Sequence, residues 1–233
     1  MGRQLRHPSG FPGSVIGHAM AIANRRPNRI AIDALGVAPS DVVLELGFGP
    51  GRAIKQMASS IGEGQVLGID QSATMLAQAS RYNRRAIEAG RVELRRGYFD
   101  ALPWPSASVD KILAVNIVYF FRQDAAEIRE AGRVLRPGGT MAIYATDKSV
   151  MARLRFSRAA THRLFDRDDL MALVRTGGFD DDDITMVQVD AGFGIAGLLA
   201  IVRKPIDAAG NHQVQRHRGH IGNRMGGADA QDG

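Results

Sequence analysis

Residues 43–51, Val-Leu-Glu-Leu-Gly-Phe-Gly-Pro-Gly, run from an apolar stretch into a turn with glycine at 47, 49 and 51. Glycines at that spacing let a ligand approach the backbone without meeting Cβ atoms, and they visit dihedrals that cost other residues energy. Asp70 closes the next apolar stretch, where a carboxylate can accept both hydroxyls of a ribose. The bland alternative for Asp70 is a surface acid that caps the following helix. Glu45 places a second carboxylate behind the turn, within reach of backbone amides or a cationic amine. A dinucleotide fingerprint would put glycine three positions after Gly49; Arg52 stands there, which counts against a pyrophosphate.

The elements that must hold these residues follow from hydrophobic periodicity. From position 41 onward short apolar runs alternate with longer amphipathic segments, the pattern of βαβ units and a parallel sheet. The runs predict strands at 42–46, 65–70, 92–94, 109–116 and 140–145, with helices at 52–61, 73–89 and about 125–135. Pro137-Gly138-Gly139 predicts a turn into the fifth strand. A further helix is expected at 168–176, closed by Gly177-Gly178. Two last strands, about 184–189 and 197–202, are too close for a helical crossover and should pair antiparallel as a hairpin-like edge.

Composition narrows the chemistry. The chain has 233 residues, 45% of them hydrophobic and 23% charged, which suits one globular domain with appendages. With no cysteine, disulfides, thiolate metal sites and sulfur nucleophiles are excluded. The net charge of +6 invites an anionic partner, but only four of the thirty basic residues are lysine, a bias that base composition alone can produce. The run Asp180 to Asp183 reads as a solvated turn and not a metal site, because consecutive side chains diverge. No window reaches the roughly 18 apolar residues of a membrane span. Arg3, Arg6 and His7 before residues 15–23 imitate a signal peptide, yet Pro12, Gly13, Gly17 and His18 interrupt the apolar run. Arg6 also breaks a myristoylation pattern. The reading is therefore cytoplasmic, with an N-terminal helical lid at 1–38, an α/β domain at 39–205 containing an insertion at 148–166, and a disordered polar tail at 206–233.

VLELGFGPG (43–51), GID (68–70), LPWPSASVD (102–110), AVNIVYFF (114–121) and RVLRPGG (133–139), in that order, resemble the class I S-adenosylmethionine-dependent methyltransferases. The resemblance spans about residues 41–202. It implies a Rossmann-like, doubly wound α/β fold: a seven-stranded, mostly parallel sheet with an antiparallel last strand and helices on both faces. It also implies that Gly47, Phe48, Gly49 and Gly51 line the cofactor, that Asp70 holds its ribose and that Glu45 supports the turn. Gln71 and Met75 would flank ribose and adenine. The family often places an acid directly after the glycine following strand three; here that position is Tyr98, so Asp100 or the backbone at Phe99 is expected to read the adenine. Asn116 would meet the methionyl part, and S-adenosylhomocysteine would be the product.

The acceptor is less legible. Asn116-Ile117-Val118-Tyr119 has the outer residues, without the two prolines, of enzymes that methylate adenine or glutamine amide nitrogens. Pyrimidine C5 and arsenite methylation need thiols that the chain lacks. What remains is an O, N, S or activated C of a small molecule. Alignment of nucleophile, methyl and sulfur supplies most of the acceleration, and a base serves only an acidic acceptor proton. Tyr119, His18 and His162 are the candidate bases. Selectivity should come from residues 11–35 and 148–165, where Arg25, Arg26, Arg29, Lys148, Arg153, Arg155 and Arg158 would suit an anionic acceptor. RNA or an anionic lipid is the alternative, suggested by Arg81, Arg84, Arg85, Arg91, Arg95 and Arg96, although nucleic acid ranks below a small molecule. A non-catalytic cofactor-binding protein is the third reading.

Overall fold

The computed structural model describes residues 24–152, 163–192 and 194–206. The expected tail beyond 206, the centre of the insertion and the first part of the lid lie outside the described residues. The rest alternates strands and helices: α1 (Arg25–Leu35), β1 (Val42–Leu46), α2 (Arg52–Ser60), β2 (Gln65–Asp70), α3 (Ala73–Tyr82), α4 (Arg84–Glu88), β3 (Val92–Arg96), β4 (Val109–Val115), α5 (Ala126–Val134), β5 (Leu135–Thr146), α6 (Lys148–Met151), α7 (Arg167–Thr176), β6 (Ile184–Asp190) and β7 (Ala196–Arg203).

The strands form one seven-stranded sheet in the order β3-β2-β1-β4-β5-β7-β6. β1 to β5 are parallel, and β7 runs antiparallel to both β5 and β6. The central strands are nearly continuous apolar runs because both faces are covered. On one face β1 and β2 pack with α1 and α2 through Ile32, Leu35, Ile54 and Met57; on the other, Leu46, Ile112 and Ile143 pack with α5 and α7 through Ile128 and Leu173. This is the expected doubly wound fold with an antiparallel last strand.

Three local expectations are corrected. The last two strands do pair antiparallel, but β7 inserts beside β5, so of the two only β6 lies at an edge of the sheet. The expected helix over 73–89 breaks at Asn83, whose buried Nδ2 donates to Gly51 O at 3.0 Å and Ala79 O at 2.9 Å. That pull toward the glycine turn ends α3 and leaves a short α4. The fifth strand begins at Leu135, with the Pro-Gly-Gly turn absorbed as an irregularity opposite the register shift between Val109 and Lys111. Gly138 there takes φ +77°.

Candidate active site

The strand order reverses between β1 and β4, so their connections leave in opposite directions and open a crevice at the carboxyl ends, the place where ligands bind in such sheets. The glycine turn joins β1 to α2 at this point. Gly47, Gly49 and Gly51 all have positive φ, at +73°, +51° and +81°. Their surroundings differ. A Cβ on Gly47 would lie 2.7 Å from Ile117 Cδ1, and one on Gly51 would lie 2.6 Å from Asn83 Nδ2 and 2.8 Å from Ala79 Cβ. At Gly49 nothing among the described residues comes within 4 Å. Gly47 and Gly51 are therefore required by packing, whereas Gly49 opens onto free space.

Asp70 faces that space from the end of β2. Its Oδ2 accepts from Gly49 N–H at 3.0 Å and its Oδ1 from Ser72 N–H at 2.8 Å. Ser72 Oγ caps α3 by accepting from Met75 N–H at 3.3 Å. The bland reading of Asp70 thus fails in part: Ser72 is the cap, and Asp70 is buried, 9% exposed, and tied to the glycine turn. Burial pushes its carboxyl up to about 6, against the pull of the Ser72 and Gly49 amides. Glu45 lies deeper, at 4% exposure. Burial and the neighbouring Asp70 charge push it to about 8, opposed by the Ile54 amide. Its Oε2 is buried without a hydrogen-bond partner among the described residues. Glu45, Gly47, Gly49, Gly51 and Asp70 are brought together around one crevice.

The other expected contacts have the following surroundings. Phe48 and Met75 are 3% exposed and belong to the apolar core on the α1 and α2 face; Phe48 serves the turn through its carbonyl, which accepts from Gly51 N–H at 2.9 Å. Gln71 follows Asp70, and its carbonyl accepts from Arg96 Nε at 3.3 Å. Phe99 turns into the opposite core against Phe121, ring centroids 6.0 Å apart. Asp100 is drawn to Arg122 at 3.7 Å. Tyr98 is 65% exposed beside them.

The end of β4 is a hydrogen-bond hub. Asn116, at φ +54°, accepts at Oδ1 from the Tyr119 hydroxyl (2.8 Å), Thr146 N–H (3.0 Å) and Thr146 Oγ1 (3.2 Å). Its Nδ2 donates to Asn24 Oδ1 at 2.8 Å, fastening the start of α1 to the sheet. The Asn116 carbonyl and one amide hydrogen are therefore engaged in positioning. Tyr119 is a correction: its oxygen also accepts from Thr146 N–H at 2.7 Å, and burial pushes its ionisation far above the usual value. A phenol so held does not supply a base at neutral pH. His18 and His162, with Arg153, Arg155 and Arg158, lie outside the described residues. Lys148 is paired with Asp166 and Asp169, each at 3.2 Å.

Sequence reasoning passed over Asn24, Thr146 and Arg163. Arg163 donates its backbone N–H to Tyr119 O at 3.3 Å and holds its guanidinium 5.1 Å from the Phe165 centroid. Its Nη1 is buried without a partner among the described residues. The aspartate run forms a short 3-10 turn with Asp181 paired to Arg175. No helix among the described residues is long and apolar enough to cross a membrane.

Comparison with known proteins agrees with this geometry. A family described as a methyltransferase domain matches residues 43–139, the stretch from β1 through the turn to the start of β5. The chain belongs to the class I S-adenosylmethionine-dependent methyltransferases. It is similar to the Bacillus subtilis methyltransferase YdaC, 29% identical over 191 residues that cover 82% of this chain and 98% of that one. It is also similar to the O-methyltransferase cnsE of Penicillium expansum, 27% identical over 177 residues, 73% of this chain and 63% of that one. Among solved structures, a methyltransferase from Aquifex aeolicus superimposes with a TM-score of 0.62 at 19% identity, covering 86% of this chain and 96% of that one, which bears on the fold.

As a methyltransferase, the protein needs a site that fits a sulfonium nucleoside. The open space over Gly49, the Asp70 carboxylate beside it and the orphaned Glu45 Oε2 meet that requirement with room, a hydroxyl acceptor and an unmatched acid.

Proposed function

We propose that the chain transfers a methyl group from S-adenosylmethionine to an O, N, S or C atom of a small, anionic acceptor, as a cytoplasmic enzyme. When bound, the cofactor supplies an electrophilic methyl on a sulfonium. The chain's own residues do the rest. Asp70 accepts the ribose hydroxyls, and the Gly49 N–H keeps that carboxylate oriented. The open face at Gly49 admits the nucleoside, and Glu45 offers Oε2 to the cationic amine from behind the turn. Asn116, Tyr119 and Thr146 join the ends of β4 and β5 to α1, so the wall against which the acceptor aligns does not shift. The acceptor's carbon–heteroatom or carbon–carbon bond forms as the methyl–sulfur bond breaks, and any acidic proton on the acceptor leaves to solvent or a base. Alignment of this kind is worth about 7–11 kcal/mol of barrier.

The observation that carries the reading is the 3.0 Å bond from Gly49 N–H to Asp70 across the crevice. The Arg163 Nη1, without a partner among the described residues, supports an anionic acceptor, since a guanidinium fork matches carboxylate or phosphate. The O-methyltransferase name of one relative agrees with oxygen as a target atom. The test is transfer of labelled methyl to a panel of carboxylate, phenolate and phosphate-bearing small molecules. Incorporation into one of them, lost in Asp70→Ala, is expected; incorporation into none would overturn the proposed acceptor class.

A further inference from the structure

The helices on the outside of the β1–β3 half carry positive charge with almost no acid among it. One groove of about 720 Å³ is lined by Lys55, Arg81, Arg84, Arg85 and Arg91 around Tyr82. A second, of about 670 Å³, is lined by Arg25, Arg26, Arg29 and Arg52 and shares Lys55, Ser59 and Tyr82 with the first. Among the described residues no carboxylate lines either groove. Of these cations Arg84 reaches Glu88 at 3.6 Å, and Arg91 Nη1 donates to Ala58 O at 2.9 Å. Concentrating like charge in this way costs stability unless something anionic offsets it.

Tyr82 stands where the two grooves meet. It is 44% exposed, with the Lys55 ammonium 4.6 Å and the Arg52 guanidinium 5.9 Å from its ring centroid. Arg52 directly follows Gly51, so the second groove begins at the glycine turn.

We infer that these joined grooves bind single-stranded nucleic acid, with a base stacked on Tyr82 and the flanking phosphates on the arginines of α1 to α4. Three features favour this ligand. The joined volume is far larger than one phosphate, which suits an extended polyanion. The side chains are mainly arginines, whose planar forks match phosphate oxygens. An exposed ring between cations is the combination by which single strands are held, because every base has a face to stack and every linkage a charge. A lipid surface would be met by a protruding apolar rim, whereas these cations and Tyr82 line recessed grooves. The inference is independent of the acceptor proposed above.

The test is fluorescence anisotropy of a labelled, mixed-sequence RNA of about 20 nucleotides, longer than the ~4–16 nucleotides one single-strand binding fold covers. The variants are Tyr82→Ala and the pair Arg84→Glu with Arg85→Glu. Binding at low salt is expected, falling about a hundredfold between about 50 and about 200 mM salt if about five phosphates are contacted, from a slope near −0.7 per phosphate. Tyr82→Ala should weaken it by about fivefold or more, and the double reversal by more. S-adenosylmethionine affinity should be unchanged in both variants, which shows that they fold. Methyl incorporation into the RNA would support the surface and replace the small-molecule acceptor. Three results would overturn the inference: no RNA binding at low salt, binding insensitive to Tyr82→Ala and matched by heparin, or a preference for vesicles of anionic lipid over RNA.

Discussion

The backbone N–H of Gly49 donates to Asp70 Oδ2 at 3.0 Å across 21 residues of sequence, tying the end of β2 to the turn that follows β1. The bond couples the glycine dihedrals to the orientation of the carboxylate. A change on either side should therefore be read on the other.

The glycines separate into two roles. At Gly49, alanine meets no atom within 4 Å but must hold φ near +51°, which costs about 1 kcal/mol. Gly49→Ala should lower the melting temperature only slightly while sharply weakening cofactor affinity, because the methyl enters the nucleoside's space. Gly51→Ala drives a Cβ into Asn83 and Ala79, so its loss should be mainly in stability. Calorimetric melts beside cofactor titrations of the two variants check this; equal stability losses would contradict it.

The buried carboxyls predict a pH dependence with a definite sign. Asp70 is raised from 3.8 to about 6, and Glu45 from 4.5 to about 8. Between about pH 4 and pH 8 the folded chain holds protons that the unfolded chain has released. Stability without cofactor is therefore greatest below that window and falls as pH rises through it. Glu130, whose carboxyl Arg133 holds below its usual value, acts at lower pH. Melting temperature across this range should decline in the wild type and decline less in Glu45→Gln. Cofactor affinity should move oppositely, rising as Asp70 ionises. A wild-type melting temperature that rises with pH would refute the assignment.

Tyr119 tests whether the β4 hub positions or performs chemistry. Tyr119→Phe removes the hydroxyl between Asn116 Oδ1 and Thr146 N–H, at a cost of about 1–3 kcal/mol in stability. With an accepted substrate, the pH profile of kcat should keep its shape. Loss in the variant of the limb over which kcat rises with pH would restore Tyr119 as the base.

Arg163 should read the acceptor's charge. Arg163→Met is expected to raise the acceptor KM with little change in cofactor affinity, by about 10-fold or more if one charge-assisted hydrogen bond is lost. Steady-state kinetics on an anionic acceptor and its neutral ester decide it. An equal effect on both would leave Arg163 a packing residue.

The sheet and the cofactor crevice were legible because residue type and spacing carry them. Apolar runs of strand length alternate with amphipathic helices, and Gly47, Gly49, Gly51 and Asp70 have functions that few other residues can replace. What escaped depends on tertiary contact. Residues 73–89 read as one helix, because nothing local shows that Asn83 reaches Gly51 over 32 residues. Phe48 and Met75 were placed by position in a motif, whereas packing on the α1 and α2 face decides where their side chains go. The Asn116 hub joins partners 92 residues upstream and 30 residues downstream, distances at which periodicity is silent. Arg163 looked like one more arginine in a basic stretch; only its buried nitrogen, unmatched among the described residues, sets it apart.

The most direct measurement is a calorimetric titration of the full chain with S-adenosylmethionine, beside Asp70→Ala. The account predicts a Kd on the order of micromolar for the wild type, weakened about 30-fold or more in the variant by the lost ribose hydrogen bonds. No binding to the wild type, or equal binding to a folded variant, would contradict it.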